Sequence, residues 1–123
     1  MMLFMNYYQK VLLATLCSLF SVIPQQVFAE DDHCVLLVYH RFTDDGPKST
    51  SVAPELFRSH LSYLQENDFE VLPLNEVIEA LQANTTLPDK CVSLTADDGY
   101  QSIYDNAYPL LKEFQMPMAV FIS

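Results

Sequence analysis

Apolar and polar positions fall in short blocks whose spacing changes along the chain. Cys34 to Tyr39 (CVLLVY) is continuously apolar, the pattern of a strand covered on both faces. His40 to Ala53 is polar and carries the turn signal Asp45-Gly46-Pro47, so it reads as a loop. Pro54 suits the first turn of a helix. Phe57, Leu61 and Leu64 then recur on one helical face, and Asn67-Asp68 ends it. Phe69 to Leu72 predicts a second short strand, and Asn75 is placed to cap a helix carrying Val77, Ile78 and Leu81. After a loop over 83–90, Cys91 to Thr95 predicts a third strand, which runs into Asp97-Asp98-Gly99. Ile103, Ala107, Leu111 and Phe114 return to helical spacing, with Pro109 restarting or kinking that helix. Met118 to Ile122 (MAVFI) predicts a fourth strand.

Strands that alternate with helices imply parallel pairing and an α/β architecture. A last strand this apolar needs cover on both faces, and a closed α/β barrel takes roughly 200 residues or more. The expectation from the pattern is therefore the front half of a larger α/β fold, cut off after about four strands.

Residues 1–29 follow a different plan. Met1 to Lys10 is weakly basic, Val11 to Ile23 is uncharged and apolar, Pro24 breaks a helix, and Val27 and Ala29 suit the −3 and −1 positions of a cleavage site. The apolar core is shorter than the ~20 residues a spanning helix needs, so no stable membrane anchor is expected. The chain reads as a signal peptide over 1–29 and one domain over 30–123, exported to the periplasm or the extracellular space.

The formal charge of −10 falls almost wholly on the exported part, since Lys10 is the only charge before Glu30. Such a surface repels phosphate backbones and argues against nucleic acid as a partner. Export permits a disulfide between Cys34 and Cys91, which both begin predicted strands. Two buried free thiols are the other possibility.

The strongest chemical signal is Ser93-Leu94-Thr95-Ala96-Asp97-Asp98-Gly99-Tyr100. Two adjacent carboxylates stand at the C-terminal end of a buried parallel strand, where α/β folds place their ligands. Like charges that close resist double ionisation unless a cation neutralises one. A metal on one carboxylate would leave the other free as a base. Asp-Asp-Gly is also ordinary turn chemistry, and Asp44-Asp45-Gly46 reads as only that.

The run SLTADDGY resembles the first motif of the NodB-type polysaccharide deacetylases, usually Thr-Phe-Asp-Asp-Gly-Tyr. The resemblance extends over most of 34–123. It takes in Val38-Tyr39-His40-Arg41-Phe42, Pro54-Glu55-Leu56-Phe57, Val71-Leu72-Pro73-Leu74, Tyr108-Pro109-Leu110-Leu111-Lys112 and Met116 to Ile122. It implies a distorted (β/α) barrel, of which this chain is the N-terminal half, and hydrolysis of N-acetyl groups on an amino-sugar polysaccharide of cell wall or biofilm. It also implies Asp97 as the general base, Asp98 as a metal ligand, and the Tyr100 backbone N–H as a donor to the oxyanion. The implied cofactor is a divalent metal, by family habit zinc.

Two departures matter. Ala96 stands where the family has Phe. The His-x-x-x-His pair that completes the family's metal site is absent, since His33, His40 and His60 lack that spacing. His33 lies in the acidic N-terminal stretch and His60 beside the apolar face of the first helix. His40 ends the first strand near the mouth that holds Asp97. It reads either as a group beside the substrate or behind a metal ligand, or as an ordinary strand-end histidine. The chain is thus expected to be an incomplete and inactive piece of a deacetylase. The alternative is an exported, non-catalytic module of the same fold that binds glycan or a partner. A phosphoryl receiver also gathers acids at strand ends, but export removes it from cytoplasmic phosphodonors.

Cleavage is expected between Ala29 and Glu30. Mass spectrometry of exported material should find Glu30 at the N-terminus, and an intact Met1 would refute the assignment.

Overall fold

In a computed structural model, residues 33–123 are described, and the leader expected over 1–29 lies outside them. The chain runs β1 (Val35–Tyr39), β2 (Arg41–Phe42), β3 (Ser51–Val52), α1 (Pro54–Glu66), β4 (Glu70–Val71), α2 (Leu74–Ala83), β5 (Cys91–Ala96), a π-helical turn (Ile103–Ala107), α3 (Tyr108–Phe114) and β6 (Ala119–Val120). This is the α/β order expected, with a parallel main sheet.

Strand β5 is the axis of the sheet and is buried at every position. β1 lies along one of its edges, from Val35 opposite Val92 to Tyr39 opposite Ala96. The other edge is shared: β4 takes the early half, with Val71 opposite Val92, and β6 the late half, with Ala96 opposite Val120. Alternation along β5 sorts its side chains into two layers. Val92, Leu94 and Ala96 join Phe57, Leu61 and Leu64 of α1 and Leu110 and Leu111 of α3 in the main core. Cys91 packs instead with Val77 of α2 and Leu87. Arg58 donates to Glu113 and ties α1 to α3. That bond holds the Glu113 carboxyl below the usual range, although an exposed pair stabilises little.

Four local expectations are corrected. The loop over 40–53 contains two strands, with Arg41 opposite Ser51 and Phe42 opposite Val52. Phe42 is fully buried there, against Phe57 with ring centroids 4.6 Å apart. β1 is not covered on both faces: Val35, Leu36 and Val38 stay about half exposed, because β5 is its only strand partner among the described residues. Asn75 does not cap α2. The helix starts two residues earlier, at Leu74, and the carbonyl of its cap residue Pro73 accepts from the N–H groups of Glu76 and Val77 at 3.0 and 3.2 Å. Proline's fixed φ sets that carbonyl for the first turn. Val77 is the α2 residue that is buried, while Ile78 and Leu81 are exposed at 45% and 47%.

Pro109 acts as its chemistry requires. It has no N–H to give the carbonyl four residues back, so the preceding turn widens. Tyr108 N–H then reaches the carbonyl of Ile103, and α3 begins at Tyr108. No helix among the described residues is long and apolar enough to cross a membrane.

Cys34 and Cys91 form a disulfide, with Cα atoms 4.6 Å apart and a sequence separation of 57. The alternative of two buried thiols falls. The register makes the pair natural, since Cys34 and Cys91 each precede the first β1–β5 partners, Val35 and Val92.

Reduction is expected to cost about 2–4 kcal/mol, through the freedom returned to the unfolded chain. Denaturant unfolding with and without reductant measures it, and two reactive thiols without reductant would contradict the bond. Phe57→Ala should cost about 3–5 kcal/mol in the same assay, because it empties a fully buried aromatic site.

Candidate active site

Parallel pairing carries the residues just past β1 and β5 to the same rim. Tyr39 lies opposite Ala96, so His40 and Asp97 are the next pair out. The Asp97 N–H donates to the Tyr39 carbonyl at 2.9 Å and prolongs the ladder by one step. On the other side of β5, the Phe121 N–H donates to the Ala96 carbonyl at 2.8 Å. Asp97 is thus gripped from β1, and the strand end from the segment after β6.

Beyond Asp97 the chain turns. Asp98 has φ 68° and Gly99 φ 64°, two successive left-handed residues. The other described non-glycine residues with positive φ, Asp68, Asn84 and Gln115, all follow the ends of helices, where that conformation is a common stop signal. Asp98 alone among them follows a strand. Aspartate tolerates the conformation better than most residues, yet it remains a local cost. The reversal ends the extended chain between the two carboxylates, whose partners lie on different flanks of β5, His40 past β1 and Ser123 past β6.

The two carboxylates face different neighbours. Asp97 Oδ2 lies 3.8 Å from His40 Nε2, with 42% and 34% of the respective side chains exposed. That is ion-pair reach when the imidazole is protonated, and too long for a direct hydrogen bond. Asp98 Oδ1 accepts from the Ser123 hydroxyl at 3.4 Å. Tyr100 ends the turn, and its carbonyl accepts from Ile103 N–H at 2.9 Å. Its own N–H therefore stands at the helix start, among the donors that intrahelical bonding leaves unmade.

His40 lies 3.8 Å from Asp97, Asp98 is bonded to Ser123, and the Tyr100 hydroxyl is bonded to Arg41, all where β5 ends. His60 does not join them; its Nδ1 is hydrogen-bonded to the half-buried Tyr39 hydroxyl at 3.1 Å. Burial pushes the Tyr39 phenol above its ordinary pKa, so it stays neutral. Ala96 is fully buried, in the same cluster as Phe42 and Phe57. Aromatic rings from β2 and α1 thus pack the strand end where the resemblance expects a Phe on β5 itself. Sequence reasoning missed Arg41. Its guanidinium donates to the Tyr100 hydroxyl at 2.7 Å and lies 4.1 Å above the Tyr100 ring. The only sequence signal was a cation beside His40 in a chain poor in cations.

A metal centre is not complete here. No three His, Cys, Asp or Glu side chains converge among the described residues. A catalytic zinc takes three protein ligands, and the donors at this rim are divided between His40 and Ser123 as partners. The described residues do not make the site a zinc ion needs, although Asp98, whose side chain makes a long contact to the Ser123 hydroxyl, remains suited to contribute one ligand.

Comparison with known proteins gives a consistent picture. The polysaccharide deacetylase family profile matches residues 84–123. The chain is 34% identical over 85 residues to the poly-β-1,6-N-acetyl-D-glucosamine N-deacetylase of Escherichia coli K12, an alignment covering 68% of this chain and 13% of that protein. The structure of IcaB from Ammonifex degensii superposes with TM-score 0.67 at 31% identity, over 74% of this chain and 38% of that one. A Streptococcus pyogenes deacetylase solved with acetate gives TM-score 0.64 at 30% identity, over 72% of this chain and 42% of that one. The chain spans well under half of each of these relatives.

The strained turn has a measurable signature. Asp98→Gly should raise stability by about 1 kcal/mol, and Gly99→Ala should lower it by about as much, both from left-handed backbone. A Cβ at Gly99 would meet Ile122 at 3.4 Å, an ordinary contact, so its cost is conformational. Thermal unfolding of the two variants checks this. Destabilisation by Asp98→Gly would show that the carboxylate is a structural anchor.

Proposed function

We propose, because this chain belongs to the NodB-type polysaccharide deacetylase family, that residues 33–123 are the base-carrying N-terminal part of a distorted (β/α) barrel that removes N-acetyl groups from an exported amino-sugar polymer. The observation that supports the reading is the strand end itself: the consecutive residues Asp97 and Asp98, where a buried parallel strand runs into a left-handed turn. The E. coli relative is named for poly-β-1,6-N-acetylglucosamine, and a β-linked N-acetylglucosamine polymer is the substrate we assign.

The reaction is amide hydrolysis, giving acetate and a free amine. In this proposal Asp97 takes a proton from the attacking water, and His40, within 3.8 Å, orients that carboxylate. The Tyr100 N–H donates to the oxygen that gains charge as the carbonyl becomes tetrahedral, an interaction that strengthens in the transition state. A divalent cation, zinc in our assignment, is the cofactor, with Asp98 as one ligand. The described residues do not supply the remaining ligands, and no step is assigned to the ion. Export through cleavage after Ala29 places the protein with its polymer, in the periplasm or outside the cell. A second reading, a non-catalytic glycan-binding module, draws support from the incomplete ligand set.

The coding DNA beyond Ser123 is the first test. If it continues in frame through a His-x-x-x-His run, the longer product should release acetate from an N-acetylglucosamine oligomer. In it, Asp97→Asn should lower turnover by ~10²–10⁴ with metal retained, because it removes the base. Asp98→Asn should chiefly weaken zinc binding, read by calorimetry. The 123-residue chain alone should neither hold zinc tightly nor release acetate. Both activities in the short chain would overturn its status as a partial catalytic domain. Equal metal loss in both variants would overturn the division of labour. Oligomer binding without acetate release by the longer product would favour the module.

A further inference from the structure

The Asp98-Gly99 turn is bracketed by contacts that all reach the same few residues. Before it, Asp97 N–H is bonded to the Tyr39 carbonyl at 2.9 Å. After it, the Tyr100 hydroxyl accepts from Arg41 at 2.7 Å, with the guanidinium stacked 4.1 Å above the ring. Further on, the Ser102 hydroxyl accepts from Phe42 N–H at 3.1 Å, and the Asn106 amide donates to the Phe42 carbonyl at 2.7 Å. Ser102 and Asn106 lie four apart on one helical face, so together they take up both polar groups of one buried peptide residue. His40 sits in the middle of this span, between Tyr39 and Arg41.

We propose that Arg41, Ser102 and Asn106 are positioning residues, which clamp β2 to the chain after the turn and so fix His40 against Asp97 and hold Asp98 in its left-handed state. The inference rests on the deacetylase reading only for what His40, Asp97 and Asp98 do. The physical case is independent of it. Asp98, the non-glycine residue of the left-handed pair, stores local strain, and strain persists only where surroundings over-determine it. Here the surroundings are contacts between residues about 60 positions apart, 59 for Arg41–Tyr100 and 64 for Asn106–Phe42. The π-helical turn belongs to the same device, since Ile103 and Ala107 anchor it in the core while Ser102 and Asn106 face Phe42.

The contacts differ in kind, which makes the clamp testable piece by piece. Arg41 combines a charged hydrogen bond with a stacked planar cation, and Lys retains a charged donor without the plane that stacks. Tyr100→Phe keeps the ring and loses the hydroxyl.

The experiment is hydrogen exchange read by mass spectrometry on the 123-residue chain, disulfide intact, without metal or substrate. Arg41→Met should speed exchange of the Asp97 and Ile103 amides roughly tenfold, the scale of one lost charge-assisted contact. The Phe69, Leu72 and Thr85 amides, bonded far from the clamp, should change less than about twofold. Arg41→Lys should recover part of the protection, and Tyr100→Phe should fall between wild type and Arg41→Met. Asn106→Leu should loosen the same amides. Were Arg41→Met too unstable to study, the milder Tyr100→Phe carries the test. Uniform acceleration across the chain would reduce these residues to general stabilisers and overturn the proposal, as would unchanged exchange at Asp97 and Ile103. Failure of the deacetylase reading would appear elsewhere, as an absence of acetate release from the extended protein while the local exchange response stands.

Discussion

The parallel register of β1 on β5 is the constraint from which the remaining geometry follows. Five residue pairs run from Val35 and Val92 to Tyr39 and Ala96. The register is pinned below by the Cys34–Cys91 bond and above by the Asp97 N–H on the Tyr39 carbonyl. A slip of one residue would turn every β1 side chain to the opposite face. It would also part the cysteines and move His40 away from Asp97. The rim is therefore specified by backbone pairing before any side chain of the site makes a contact.

The site then adds what pairing cannot give. A strand delivers neighbouring side chains to opposite faces, so two adjacent carboxylates reach one rim only if the backbone departs from extended geometry between them. The departure is made at Asp98, at some cost in strain. The fold supplies rigidity on both flanks, with the wholly buried β5 on one side and a helix anchored through Ile103 and Ala107 on the other. This division is general: precise placement comes from rigid elements, and the irregular residue between them is kept short.

Much of this was legible in the sequence, for reasons that differ by element. α1 declared itself because Phe57, Leu61 and Leu64 cannot share a face in any other conformation, and all three are buried. β5 was legible as an apolar run of strand length, and the Asp-Asp-Gly at its end as a rim. What escaped was set by distant partners. β2 and β3 are two residues each and exist through pairing across a loop, so periodicity carries no trace of them. Arg41 has no local pattern either, because its partner lies 59 residues away. The exposure of β1 was misjudged since an apolar run announces the need for cover without saying which neighbours provide it. The start of α2 went to Pro73 instead of Asn75, a case in which backbone stiffness outweighed a capping side chain.

The chain holds two Asp-Asp-Gly tripeptides, and their glycines answer to different restrictions. At Gly46 the restriction is volume, since an added Cβ would fall 2.0 Å from the Ser51 hydroxyl oxygen. At Gly99 it is handedness, with φ at +64° and only ordinary contact at Ile122. A residue of mirror-image chirality would accordingly find at position 99 the backbone basin that its own stereochemistry prefers. Identical letters thus spell a packing requirement in one loop and a chiral one in the other. The glycine set by handedness is the one that follows the Asp97-Asp98 pair at the end of β5.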